Sequence, residues 1–66
     1  MGYWNYRVMS RGGELAIHEV HYDDADNVVG WSESPSFPAG EFLEELAANL
    51  EQYADALSLP VLQYDE

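Results

Sequence analysis

The chain of 66 residues contains no cysteine and no lysine. Without cysteine there is no disulfide, no thiolate nucleophile and no zinc-finger site. Without lysine there is no Schiff-base chemistry, and Ser10, Ser32, Ser34, Ser36 and Ser58 sit in no nucleophile-elbow motif. Positive charge is nearly absent: Arg7 and Arg11 stand against thirteen Asp and Glu, for a formal net charge of -11. A surface this negative repels phosphate, so direct binding to DNA, RNA or an anionic membrane is not expected. Long apolar runs are missing too. No window approaches 18 apolar residues, and MGYWNYRVMSRGG lacks a basic segment followed by an apolar one. Neither a membrane span nor a signal peptide is predicted, which leaves a soluble, cytoplasmic protein as the expectation.

What is present points to a folded domain. Hydrophobic residues make up 47% of the chain and aromatics 14%, too much for a disordered acidic tail. A chain of this size buries only about 60% of the surface its unfolded form exposes, so residues 1–66 form one domain with a thin core and no separate cleft. Tyr3 to Ser10 alternates, with Trp4, Tyr6 and Val8 on one side and Asn5, Arg7 and Met9 on the other, as a half-buried strand does. Gly12-Gly13 supplies the positive φ of a two-residue hairpin. Leu15 to Tyr22 reads as a second strand whose parity slips between Ile17 and Val20, which a bulge near His18-Glu19 would correct. A turn at Asp23–Asn27 leads to a third strand over Val28–Glu33, with Val29 and Trp31 sharing a face. Pro35 and Pro38 mark a loop.

From Glu41 the apolar period changes from two to 3.6. Leu43, Leu46, Ala47, Leu50, Tyr53, Ala54 and Leu57 make one stripe, and Pro60 stops the helix. Laying that stripe on the sheet gives an α+β domain, a three-stranded antiparallel meander packed against one C-terminal amphipathic helix. Val61–Tyr64 is either a short fourth strand or an extended tail on the sheet edge.

In a helical projection at 100° steps, Glu41, Glu44, Glu45, Glu51 and Asp55 fall in an outer arc roughly 120° wide. Ordinary solvated helices place Lys or Arg four residues from such groups, gaining about 0.2–0.5 kcal/mol per pair. This helix has no such pairing. Asp23, Asp24 and Asp26 add a second acidic group in a turn, and Asp65 and Glu66 end the chain. Solubility of a small domain needs a net charge of only about 2–8 in magnitude. Retaining more self-repulsion than that implies that the field is used. Carboxylates one helical turn apart, about 5.4 Å, have a spacing comparable to that of backbone phosphates, so a rod of them can occupy a basic groove built for nucleic acid. The expected partner is a basic nucleic-acid-binding protein, engaged by a monomer through these acids.

Other constellations are weaker. His18 and His21 point to opposite faces of a regular strand, so no metal site is predicted. Asp24-x-Asp26-Asn27 has calcium-like oxygens but lacks the glycine and the bidentate Glu of a calcium loop. Exposed helix carboxylates lack the burial that raises a pKa, so neither enzymatic activity nor a cofactor is expected. Trp4, Tyr6, Trp31 and Tyr53 are read as packing residues, with partner anchors sought among Tyr3, Tyr22, Phe37 and Tyr64.

Size, acidity and the predicted three strands plus helix resemble the anti-CRISPR proteins of phages and mobile elements, in particular an acidic inhibitor of a type I-C Cascade. That resemblance implies the crRNA-guided surveillance complex as partner, and occlusion of the basic surface that accepts target or PAM duplex as mechanism. Pro38-Ala39-Gly40-Glu41-Phe42-Leu43-Glu44-Glu45-Leu46 also resembles the helix entry of HicB-like antitoxins. That likeness implies a partial RNase-H-like fold whose acidity neutralises a basic RNase toxin.

Overall fold

The computed structural model of the chain describes residues 2–64. Its order is β1 (Tyr3–Arg11), β2 (Glu14–Tyr22), β3 (Val28–Trp31), α1 (Leu43–Ala56) and β4 (Leu62–Gln63). The fold is α+β, as the change of period implies. Gly12 and Gly13 have φ of 60° and 86° and close the β1–β2 hairpin, in which Arg11 pairs with Glu14 and Tyr3 with Tyr22. The sheet order is β3-β2-β1-β4, with the first three strands antiparallel and β4 parallel to β1 through Met9–Leu62 and Ser10–Gln63. The 3.6-period segment therefore crosses from one sheet edge to the other, which is why β4 runs parallel. The molecule measures 35 × 32 × 21 Å, and its short dimension accommodates one sheet and one helix.

The β1–β2 register is continuous through His18 and Glu19, so no bulge realigns β2. The irregularity lies in the β2–β3 pairing instead: His21 pairs with Gly30 and Tyr22 with Val28, which leaves Val29 as the extra residue. Val29 is therefore exposed and does not share a buried face with Trp31, and β3 ends at Trp31 rather than at Glu33.

The slipped parity of β2 is real, and both faces of the sheet are apolar. Val20 and Met9, 0% and 1% exposed, form a cluster with Tyr22 on one face. Trp31, Leu62 and Tyr64 pack against that cluster. The Tyr64 ring lies 5.6 Å from Trp31 and 5.7 Å from His18, with the Arg11 guanidinium 4.3 Å from its centre. Tyr22 and Tyr64 are thus packing residues. Tyr3 and Phe37 remain exposed. His18 is buried and donates from Nδ1 to the Ser32 carbonyl at 2.8 Å, so it is a satisfied core histidine.

The helix α1 lies over the other face, where Tyr53 stacks on Tyr6 with ring centroids 4.4 Å apart. Tyr53 and Ala56 are buried, and Leu46 and Asn49 are half-buried. Leu43, Leu50 and Leu57, expected in the core, are 80%, 48% and 70% exposed. In projection, the buried line of the helix is rotated roughly 80° from the centre of its apolar stripe. Two contacts hold that rotation. Asn49 accepts the Ala39 N–H at 3.0 Å and donates to the Tyr6 hydroxyl at 3.5 Å, and both bonds require Asn49 to face the sheet.

Candidate interaction surface

The surface begins at the entry of α1. Gly40 passes so close to the first turn that a Cβ there would lie 2.6 Å from the Leu46 nitrogen. Phe42 is the N-cap and offers no side-chain bond. The Glu45 carboxylate reaches back instead and accepts the Glu41 N–H at 2.9 Å, a variant of the capping box. Glu44 and Glu45 both occupy the first turn, where the positive end of the helix dipole favours them. Glu45 is therefore a structural residue as well as a charged one.

Glu44, Glu51 and Asp55 project directly away from the buried line and are exposed. Glu51 and Asp55 are about 6 Å apart along the axis, and Glu44 precedes Glu51 by about 10 Å, with Ala48 in the intervening turn. None of the three has a cationic partner among the described residues. The last turn carries no basic residue. Arg7 is engaged elsewhere: its guanidinium donates to the Tyr22 hydroxyl at 2.9 Å and to the Pro60 carbonyl at 2.7 Å. Glu41 is also exposed, but it precedes the extended N-cap Phe42 and so lies outside the helix, not on the arc where the projection put it. Asp55 further lines a groove of about 470 Å³ between α1 and β1, floored by Trp4 and Tyr6 and flanked by Gln52 and Leu59.

The turn acids are a separate group. The Asp23 carboxylate accepts the N–H groups of Ala25 and Asn27 at 2.9 and 3.0 Å, and these bonds hold its pKa below the ordinary 3.8. Asp26 adopts a left-handed conformation, φ 66°, and accepts the Tyr3 hydroxyl at 2.8 Å, which raises the pKa of that phenol. Two of the three turn acids thus shape the turn, and Asp24 is exposed beside them. The structure does not merge this group with the helix row: α1 packs on β1, whereas the turn joins β2 to β3. Asp65 and Glu66 lie outside the described residues.

Among the described residues no group of three or more His, Asp or Glu side chains is placed to hold a metal ion. His21 faces away from His18 and lies 3.8 Å from Glu19. No helix is long and apolar enough to cross a membrane.

Sequence reasoning missed one component. Leu43, Leu50 and Leu57, with Ala47 and Ala54 between them, form an exposed ridge beside the carboxylate row. Their heptad spacing was legible, but it reads equally as a core stripe. No family model matches the chain, and comparisons with curated proteins and with solved structures found no significant match.

Proposed function

We propose that the protein is a non-enzymatic, stoichiometric inhibitor that mimics nucleic acid and occludes a basic DNA-binding surface, with a type I-C Cascade complex as its target. The observation that carries this reading is the row of Glu44, Glu51 and Asp55, exposed on one rigid helix with no cation beside it among the described residues, in a chain of net charge -11. Such a row draws on the charge-assisted contacts to Arg and Lys that the nucleic acid itself would make, and on the same long-range steering. Docking a helix of fixed geometry also requires little ordering of the inhibitor on binding.

Pull-down from cells carrying a type I-C complex, followed by competition with target duplex, tests the reading. Wild-type protein is expected to displace the duplex, and E44K/E51K/D55K to lose displacement while keeping its fold. Complex formation should weaken steeply between 50 and 200 mM salt, as contacts to a polyanion-binding surface do. Displacement that survives charge reversal and is indifferent to salt would refute the mimic. Glu45 is left intact in this variant, since its carboxylate caps the helix.

The alternative, a HicB-like antitoxin domain neutralising a basic RNase, is favoured by one observation. It calls for further sheet beyond the three-stranded meander, and β4 extends the sheet beside β1. A small basic RNase encoded next door, inhibited by the purified protein in an RNA-cleavage assay, would select it over the anti-CRISPR reading.

A further inference from the structure

The helix of this protein exposes the more apolar part of its surface. Around α1 the order is a buried line of Leu46, Asn49, Tyr53 and Ala56, then the ridge of Leu43, Leu50 and Leu57, then the carboxylates of Glu44, Glu51 and Asp55. A polyanion imitator needs only the last of these. Contiguous apolar surface bordered by charge marks a protein contact, and the two alanines within the ridge let another backbone approach closely. From Leu43 to Leu57 the ridge runs about 21 Å, the length of a four-turn helix.

We infer that this ridge docks an amphipathic, basic helix of another protein. The partner's apolar seam would pack on Leu43, Leu50 and Leu57, and its long lysine or arginine side chains would reach past Ala47 and Ala54 to Glu44 and Glu51, the acids on the ridge's side of the row. The inference rests on the reading that the partner is basic, and deepens it by giving the docked element a shape. Charge complementarity selects this occupant over a second copy of the chain. A second copy would bring its own carboxylate row and another -11 of net charge to a contact that offers no cation in return among the described residues.

A synthetic 18-residue Leu/Lys peptide with leucines at heptad spacing is the probe, with a peptide of the same composition but scrambled order as control. Binding is followed by calorimetry at 0.15 and 0.5 M NaCl, and the site is mapped by amide chemical shifts. The seam peptide is expected to bind at least tenfold tighter than the scrambled one, with shifts concentrated over residues 43–57. L43A/L50A/L57A should reduce its affinity at least tenfold, to the level of the scrambled peptide. Should that variant lose its cooperative unfolding transition, L43A/L57A carries the test, because those two side chains are the most exposed. Equal binding of both peptides, unchanged affinity in the leucine variant, or shifts confined to the sheet would overturn the ridge. A wild-type dimer in sedimentation that dissociates on L43A/L50A/L57A would also overturn it, assigning the ridge to a second copy. Loss of binding in E44K/E51K/D55K with none in the leucine variant removes the ridge and leaves the mimic standing. The converse pattern removes the mimic and the pairing with the carboxylates, overturning a basic partner and leaving the ridge only as an apolar contact.

Discussion

Met9 and Leu43 are both large apolar residues, yet their substitution should have opposite consequences. Met9 is closed in by Val20, Tyr22 and Leu62, and removing its side chain leaves a cavity in a domain with few other buried groups. M9A is expected to cost about 2–5 kcal/mol, whereas L43A at an exposed site should stay within about 0.5 kcal/mol. Urea unfolding of the two variants checks this, and a large loss for L43A would place that residue in the core after all. Asp23 offers a pH test. Its carboxyl titrates below the unfolded value of 3.8 because the Asn27 and Ala25 N–H groups favour the charged form. The stability it contributes is therefore present above pH 3.8 and lost as pH falls through the lower folded pKa. The stability advantage of the wild type over D23N at pH 7 should accordingly shrink as the medium is acidified below pH 4, as followed by thermal unfolding. Tyr3 works in the opposite sense: its raised pKa places its contribution below pH 10, to be lost at higher pH.

At the scale of the element, α1 is built against its own interest at the C-terminal end. Glu51 and Asp55 repel at i,i+4, and Asp55 meets the negative end of the helix dipole with no basic residue in the last turn. D55K replaces the repulsion by a favourable Glu51–Lys pair and complements the dipole. It should stabilise the protein by about 0.5–1.5 kcal/mol, raising Tm by several degrees in a domain this small, while weakening the partner complex. A D55K variant no more stable than wild type would remove the argument that the acid is kept for function. The helix, two residues shorter at its start than expected, and the acidic arc of Glu44, Glu45, Glu51 and Asp55 were legible because they depend on neighbours three or four residues away. Its rotation was not. The seven apolar positions centre on Leu50, but the face that meets the sheet is chosen by Tyr53 on Tyr6 and by Asn49 bonded to Ala39 and Tyr6, contacts between residues up to 47 positions apart.

For the whole molecule, salt should act with two signs. The free protein carries thirteen acids against two bases, so screening relieves self-repulsion and added NaCl should raise its Tm. The same salt should weaken the complex with a basic partner. A free protein whose Tm falls as salt is added would show that net attraction, not repulsion, dominates its field. Binding should in turn stabilise the fold, by about 2.7 kcal/mol when the partner is present at a hundred times Kd.

The sequence by itself determined the hairpin, the third strand and the helix, through paired glycines, alternation and the 3.6 period, but it left the fourth strand, Leu62–Gln63, open. It also placed the carboxylates on one arc, because angular position within a helix follows from residue number alone. Only the tertiary structure decided that the core is divided between two faces of the sheet. With no bulge in β2 to correct its slipped parity, Val20 and Tyr22 face away from the helix, and burial of that side depends on Trp31 from β3 and on Tyr64 just after β4. With part of the apolar content committed there, and Asn49 holding the helix by its polar bonds, the leucine ridge was left outside.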